Sequence, residues 1–419
     1  MKMKKKTHFG LIPNDWEVVR LGEILLLLRN GLTKIQNKEK TGYPITRIET
    51  ISAEKVNPEK VGFVENITKE EIENYKVIKG DILFSHINSL KHIGKTAIYE
   101  GVPDTLLHGM NLLILRPDTT KTITNYLFYR LKYMRVKGIF KNISKKAVNQ
   151  ASINQTELSK VKLPLPPLHE QKEIAQILGT VNEAIEKVDR AIGKTKRLKK
   201  GLMQELLTKG IGHKEFKDTK IGRIPKEWEV VGLGEIGNII TGKTPSTFNK
   251  EYWNGNMPFI TPGDIKNSKY VYTTEKYVSP KGANQVGGVL PKDAILTVCI
   301  GSTIGKTALT HTNSITNQQI NALICKNSVD SHYIYYSVSL KTSLLKSYSG
   351  ISAVPIIKKS LFEKINLPLP SVTEQKKIAK ILSSVDKRLE LLRERKKKFE
   401  KVKRGLMNDL LTGKRRVRM

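Results

Sequence analysis

Residues 163–178 read LPLPPLHEQKEIAQIL, and residues 367–382 read LPLPSVTEQKKIAKIL, 204 residues further on. GLMQELLT at 201–208 returns at the same spacing as GLMNDLLT at 405–412. Upstream, IPNDWEVVRLGEI at 12–24 recurs as IPKEWEVVGLGEI at 224–236, an offset of 212, so the stretch between the two motifs is 8 residues shorter in the second copy. Within that stretch only fragments match, such as IGKTA at 93–97 and 304–308. Internal repetition fixes architecture before any local pattern does. A constant frame here encloses two middles that have diverged, so the chain reads as two variable modules on one duplicated scaffold.

Each copy of the frame ends in a long helix. From Ile174 a heptad seam runs through Val181, Val188, Thr195 and Leu202, with a companion at Leu178, Ile185, Ile192, Lys199 and Leu206. The second copy sets Ile378, Val385, Leu392, Phe399 and Leu406 beside Leu382, Leu389, Lys396, Lys403 and Leu410. Spacing of 3 and 4 sustained over about five heptads predicts coiled-coil helices. Pro166 and Pro167 precede the first helix, Ser371 with Glu374 is a capping box for the second, and Gly210 and Gly413 are expected stops. Lys396 and Lys403 interrupt the second seam and are expected along its edge, their stems over apolar surface. A helix of about 40 residues is about 60 Å long. Alone it is marginal, so each copy is the other's natural mate. An antiparallel pair would hold the modules at opposite ends, related by a pseudo-two-fold axis.

The modules themselves mix strands and helices. DILF at 81–84 and AILTVCI at 294–300 are short β-prone runs bounded by polar turns, while YLFYRLKYM at 126–134 and YIYYSVSLKTSLL at 333–345 read as helical. The expected fold class is α+β: two pseudo-two-fold-related globular domains separated by two long antiparallel coiled-coil helices. The expected boundaries are 1–167 for the first domain, 168–210 for its helix, 211–371 for the second domain, and 372–419 for the second helix and a basic tail.

Composition bounds the function. The 419 residues carry 73 Lys+Arg against 39 Asp+Glu, a net charge of +34, and 39% are hydrophobic. That content supplies a core for each domain and excludes a wholly disordered chain. A positive field of this size favours a polyanionic partner, nucleic acid or an anionic membrane surface. Residues 1–167 hold +12, residues 211–371 hold +8, and the helical stretch 372–413 holds +7. Two cysteines, Cys299 and Cys325, make no disulfide framework or four-cysteine zinc site and read as reduced thiols. The basic start MKMKKKTHFG lacks an apolar signal core, and the run Ile24–Leu28 is far too short to span a bilayer. A soluble cytoplasmic protein is expected.

Catalytic patterns fail on inspection. Gly94-Lys95-Thr96 and Gly305-Lys306-Thr307 imitate the end of a phosphate-binding loop, but Ser89 and Ile300 stand where its first glycine must be, and Gly301 is one residue too close. A basic turn touching DNA phosphate is the better reading. The single Pro-Pro lies between Leu165 and Leu168, which is not a methyltransferase motif, and the eight histidines show no metal-ligand spacing. His86 and His92 lie close together without acidic or cysteine partners. The chain reads as one that binds and does not catalyse.

Two variable modules, each followed by an LPLPxxxEQxxIAxIL helix, resemble the specificity subunit of type I restriction-modification systems. The repeated segments Trp16–Ile24 and Trp228–Ile236 fit the same pattern, as does TGKTPS at Thr241–Ser246. The first module departs there, with RNGLTKIQ at Arg29–Gln36 in place of that loop. The resemblance implies that each module is a target recognition domain reading one half of a bipartite site in double-stranded DNA. The helices would set the gap and dock two modification (methyltransferase) subunits. It implies no cofactor in this chain: S-adenosylmethionine would come with those partners, ATP and magnesium with restriction subunits. A rigid rod between two readers makes half-site spacing geometric. At about 3.4 Å per base pair, 60 Å caps the separation near 18 base pairs.

Phosphate contacts want Lys and Arg, and base edges are read by Arg, Lys, Asn, Gln, Ser and Thr. In the first module the candidates are Arg47, His86, Asn88, Lys91, His92, Lys95, Lys145 and Lys146. In the second they are Thr241, Lys243, Thr244, Ser246, Lys266, Ser302, Thr303, Lys306 and Tyr348. Trp16 and Trp228, inside the frame, are expected in the core. Gln171, Lys172, Gln375 and Lys376 are expected on partner-facing or solvated helix surface. Two other classes stay open: a self-sufficient nuclease or methyltransferase, and an architectural or RNA-binding protein that uses charge without sequence preference.

Overall fold

The computed structural model describes residues 4–417 apart from 38, 147, 149, 267 and 349–354. The chain divides into two compact units, residues 1–187 with 396–419 and residues 188–395, so each unit takes part of both long helices.

In the first unit the repeated motifs find each other as strands. Strand β1, Glu17–Arg20, pairs antiparallel with strand β2, Lys162–Leu165, matching Glu17 with Leu165 and Val19 with Leu163. The chain therefore enters and leaves the variable module at one ribbon. From β2 the prolines lead into helix α1, Leu168–Leu206. The module holds a four-stranded antiparallel sheet in the order 25–30, 113–117, 82–84, 96–98 and a small three-stranded one, 145–146, 151–152, 87–88. Its central strand Ile82–Phe84 is buried on both faces, which explains its unbroken apolar run. One core joins Trp16, Phe84, Tyr126 and Phe140 to Ile174 and Leu178 of α1 and to Leu410 of the second long helix, α2, Val372–Leu411.

The second unit repeats the scheme. Strand β3, Glu229–Gly232, pairs with strand β4, Asn366–Leu369, ahead of α2. Its five-stranded sheet runs 237–241, 320–325, 295–298, 307–310, 270–271, beside a three-stranded sheet of 276–278, 253–260 and 315–316. The helical stretch expected over 333–345 is two helices, Ser331–Leu340 and Thr342–Tyr348.

The Glu-Gln pair of the repeated motif is a brace, which corrects the surface reading of its glutamines. Gln171 and Gln375 are fully buried. The Gln171 amide oxygen accepts from the Ile123 N–H (2.9 Å) and the Thr122 hydroxyl (3.0 Å), and its nitrogen donates to the carbonyls of Pro166 (2.9 Å) and Lys121 (3.1 Å). Gln375 accepts from the Asp330 N–H and donates to the Pro370 carbonyl, both at 2.8 Å. Each glutamine thus bolts the start of a module helix to the start of a long helix. Beside them, Trp16 donates to Glu170 (2.9 Å) and Trp228 to Glu374 (3.0 Å). The tryptophans are core residues, as their place in the frame suggested, with the indole N–H satisfied by a motif carboxylate.

Glu374 forms half of its expected capping box. Its N–H donates to Ser371 Oγ at 3.4 Å, while its carboxylate serves Trp228, His213 Nε2 (2.9 Å) and the Ile211 N–H (2.9 Å). In the first unit Arg416 fills the place of His213, donating to Glu170 (2.6 and 2.7 Å) and to Asp15 (2.7 and 2.8 Å). The helices end at Leu206 and Leu411, ahead of Gly210 and Gly413.

Apolar seams close both units, with Ile174, Leu178, Ile378 and Leu382 almost wholly buried. The seam lysines are paired. Lys199 contacts Asp386 at 2.6 Å in the second unit, and Lys403 donates to Asn182 at 2.6 Å in the first. Lys403 therefore turns inward rather than along the edge, and burial holds its ammonium pKa down to about 8. No helix among the described residues is long and apolar enough to cross a membrane.

Candidate nucleic-acid interface

The shared IGKTA fragment is first a folding device. It closes the hairpins 82–84/96–98 and 295–298/307–310, with the N–H of Gly94 on the Ser85 carbonyl (2.8 Å) and that of Gly305 on the Val298 carbonyl (2.9 Å). Gly94 and Gly305 take φ of +75° and +84°, and a Cβ on either would stand within 3 Å of Phe140 or Thr342. Both observations require glycine. Ile93, Ala97, Ile304 and Ala308 are core residues. The lysine and the residues just before the isoleucine, Lys91 and His92 in one copy and Ser302 and Thr303 in the other, reach the surface.

In the second module that turn borders a cleft of about 380 Å³. Lys266, Ser302, Thr303 and Lys306 all line it, joined by Thr342 and Lys346 from the helix behind. Four candidates scattered over 41 positions of sequence thus meet around one concave basic surface. Lys266 and Lys306 are exposed, and none of the lining residues is acidic. Such a cleft suits a phosphate: lysine charge sets affinity, while hydroxyls and turn N–H groups supply directed donors. Tyr348 ends the same helix and is 44% exposed.

The TGKTPS loop lies over a second polar strip. Thr241 Oγ1 donates to Asn321 Oδ1 and Thr244 Oγ1 to Gln318 Oε1, each at 2.8 Å. A Cβ on Gly242 would stand 2.2 Å from the Asn317 carbonyl, so the loop lies directly on the backbone of Thr316 and Asn317. Ser246 accepts the Trp253 indole N–H through its carbonyl (3.1 Å), and Lys243 is exposed. Gln319 continues the strip toward the turn at Gly301, its amide nitrogen 3.7 Å from a Cβ placed there. Sequence reading missed Asn317, Gln318 and Gln319, although TNQQ is an amide run of the kind that reads base edges. It also missed Phe248, 98% exposed just past the loop, and Ile35, 97% exposed in the replacing loop of the first module. A large apolar residue in a loop reads as core until the fold shows nothing covering it.

The first module distributes its candidates differently. Lys145 and Lys146 are exposed on the outer strand of the small sheet, and Asn88 lies on its other outer strand, with Ala151 between Lys146 and Asn88. Asn88 is partly committed, donating to Ser85 Oγ (3.0 Å) and accepting from the Ser89 N–H (2.8 Å). Lys91, His92 and Lys95 form the following turn, with Arg135 reaching the Lys91 carbonyl at 3.1 Å. Burial and the neighbouring Lys95, Lys91 and Arg135 charges lower the His92 pKa, the signature of a crowded cationic patch. Lys95 donates to the Ser52 carbonyl (2.8 Å), closing onto the short helix that Arg47 begins. Arg47 itself is exposed, 3.6 Å from Glu49. His86 is different: it is 6% exposed, and burial drops its pKa to about 4. It is a neutral interior group supporting the strand, so the surface contact expected of it is withdrawn.

Among the described residues, no group of three or more His, Cys, Asp or Glu could hold a metal ion. Burial pushes both Cys299 and Cys325 up to about 12, leaving neither a ready thiolate.

The family described as the type I restriction modification DNA specificity domain matches residues 13–192 and again 225–401. The MjaX specificity subunit of Methanocaldococcus jannaschii is 44% identical, covering 99% of this chain and 97% of the relative. The type I restriction enzyme MjaVIII specificity subunit of the same organism is 30% identical, over 99% and 96%. A crystal structure of a type I restriction-modification S subunit from M. genitalium shares the fold, with a TM-score of 0.63 at 16% identity over the whole of both chains. The chain belongs to the type I restriction-modification DNA specificity family and carries two copies of the family's domain in one polypeptide.

Proposed function

We propose that each module reads one half of a split DNA site and that the two long helices fix the gap between the halves. The observation that carries this reading is the pairing of β1 with β2 and of β3 with β4, which mounts two divergent basic modules on ribbons of equivalent register. In the second module the Lys266–Lys306 cleft would seat a phosphate, and Thr244, Asn317 and Gln318 would face base edges. In the first, Lys91, Lys95, Lys145 and Lys146 would hold the backbone around Asn88. The chain itself would be non-catalytic and work in the cytoplasm. Two modification subunits bringing S-adenosylmethionine, and restriction subunits bringing ATP and magnesium, would supply the chemistry.

Exchanging residues 25–160 for the module of a relative, then sequencing the methylated positions made with the modification partner, tests the reading. One half-site should change and the other persist. A change in both halves, or in neither, would refute it.

A further inference from the structure

The frame also builds a feature that DNA reading leaves unused. In the first unit a groove of about 550 Å³ runs along the β1–β2 ribbon, between Glu17, Val19 and Ile24 on one side and Leu165, Leu168 and Lys121 on the other. In the second unit a groove of about 530 Å³ is lined by Glu229, Val231, Ile236, Leu369, Val372 and Lys326. These are the same positions, shifted by 212 in the lead-in motif and by 204 in the LPLP motif. Even the lysines correspond: Lys121 donates to the Glu23 carbonyl (3.1 Å) and Lys326 to the Glu235 carbonyl (2.8 Å).

The charge of the grooves opposes that of the chain. Asp15, Glu17 and Glu23 line the first, and Glu227, Glu229 and Glu235 line the second, in a protein of net charge +34. Some have internal duties: Asp15 holds Arg416, while Glu23 and Glu235 accept backbone N–H groups at 2.8 Å. Glu17 and Glu229 are exposed, directly opposite Leu165 and Leu369 on the ribbons. Leu168 and Val372 stand 38% and 36% exposed at the rims. Carboxylates over an apolar floor repel phosphate and favour a cation carried on an apolar body.

We infer that these grooves are two equivalent protein-docking sites, each taking a segment of a modification subunit in which an apolar side chain is flanked by Lys or Arg. The inference rests on the partner assignment proposed above and places the contact on the strand ribbons at the module roots. Two matched grooves in one chain fit two copies of one partner, and a frame held constant around divergent modules is what a common partner requires.

The test is the stoichiometry of the modification subunit encoded with this chain, measured by native mass spectrometry and calorimetry on the full-length protein. Wild type should bind two. Glu17→Lys should weaken one site by about tenfold or more and leave one subunit bound; Glu229→Lys should do the same at the other site, and the double variant should bind neither. Leu168→Ser and Val372→Ser should act likewise without changing charge. Thermal melting and DNA affinity should stay at wild-type values in every variant. Two subunits retained at full affinity by the double variant would overturn the grooves, as would loss of both subunits from a single variant. No binding to the wild type would instead overturn the partner assignment.

Discussion

Replacing Gln171 by Ala should cost the first unit about 3–5 kcal/mol, more than any other single hydrogen-bonding residue of the frame. The side chain is fully buried and makes four hydrogen bonds between 2.9 and 3.1 Å. Each is worth about 1 kcal/mol net, and the abandoned Ile123 N–H and Pro166 carbonyl add desolvation penalties because water has little access. Gln375→Ala removes two such bonds and should cost about 2–3 kcal/mol in the second unit. Gln171→Glu should not rescue, since it points an anionic oxygen at the two carbonyls that now receive the amide nitrogen. Urea denaturation gives the totals. Hydrogen exchange over residues 121–136 and 328–340 assigns each loss to its unit. Gln176→Ala, on the exposed face of the same helix, is the control and should stay within about 0.5 kcal/mol. If Gln171→Ala fell as close to wild type as that control, the brace would have no energetic role. Equal costs for Gln171→Ala and Gln375→Ala would likewise refute the bond counting.

Lys266→Ala with Lys306→Ala should weaken binding to all DNA sequences alike and reduce the slope of log affinity against log salt by about 2, as for two lost phosphate contacts; an unchanged slope in filter binding would remove the cleft from the interface. Phe248→Ala should weaken binding to the specific site by about 1 kcal/mol and leave the salt slope intact, as expected of an apolar contact with a base or sugar; unaltered affinity would leave its exposure without a DNA role. Lys269 is buried, donates to Ser383 at 2.8 Å and lies over the Tyr336 ring; burial lowers its pKa to about 8, against the opposing pull of Asp386, Asp330 and Asp293. Between that value and the ordinary lysine pKa near 10.4 the unfolded chain holds more protons than the folded one, so stability should rise with pH across this window. Lys269→Met should flatten that rise in denaturation midpoints measured from pH 7.5 to 10.

The duplicated frame was legible in the sequence because repetition needs no energy function: two offsets, 204 and 212, divide the chain. The long helices were legible from heptads. Short apolar runs announced Ile82–Phe84 and Ile295–Val298, since strands buried on both faces cannot alternate. The candidate site was legible only by residue type. Lysines 266 and 306 looked alike in sequence to many surface lysines, and only folding brought them to one cleft. His86 shows the reverse error. Its polar neighbours suggested a loop, but the strand before it carries the side chain inward.

Sequence by itself therefore determined that there are two modules, one scaffold, a basic field and a family. Each of these is a one-dimensional property, carried by repetition, periodicity or summed charge. Tertiary structure alone decided that the lead-in and LPLP motifs pair as strands, that Gln171 and Gln375 are internal bolts rather than surface, and that Glu17 and Glu229 edge a groove. Those facts depend on contacts between residues distant in the chain, from Gln171 with Ile123 to Glu17 with Leu165, the latter more than a hundred positions apart. Whether a polar side chain is buried and bonded or left in solvent is set by such contacts and not by its neighbours in the chain.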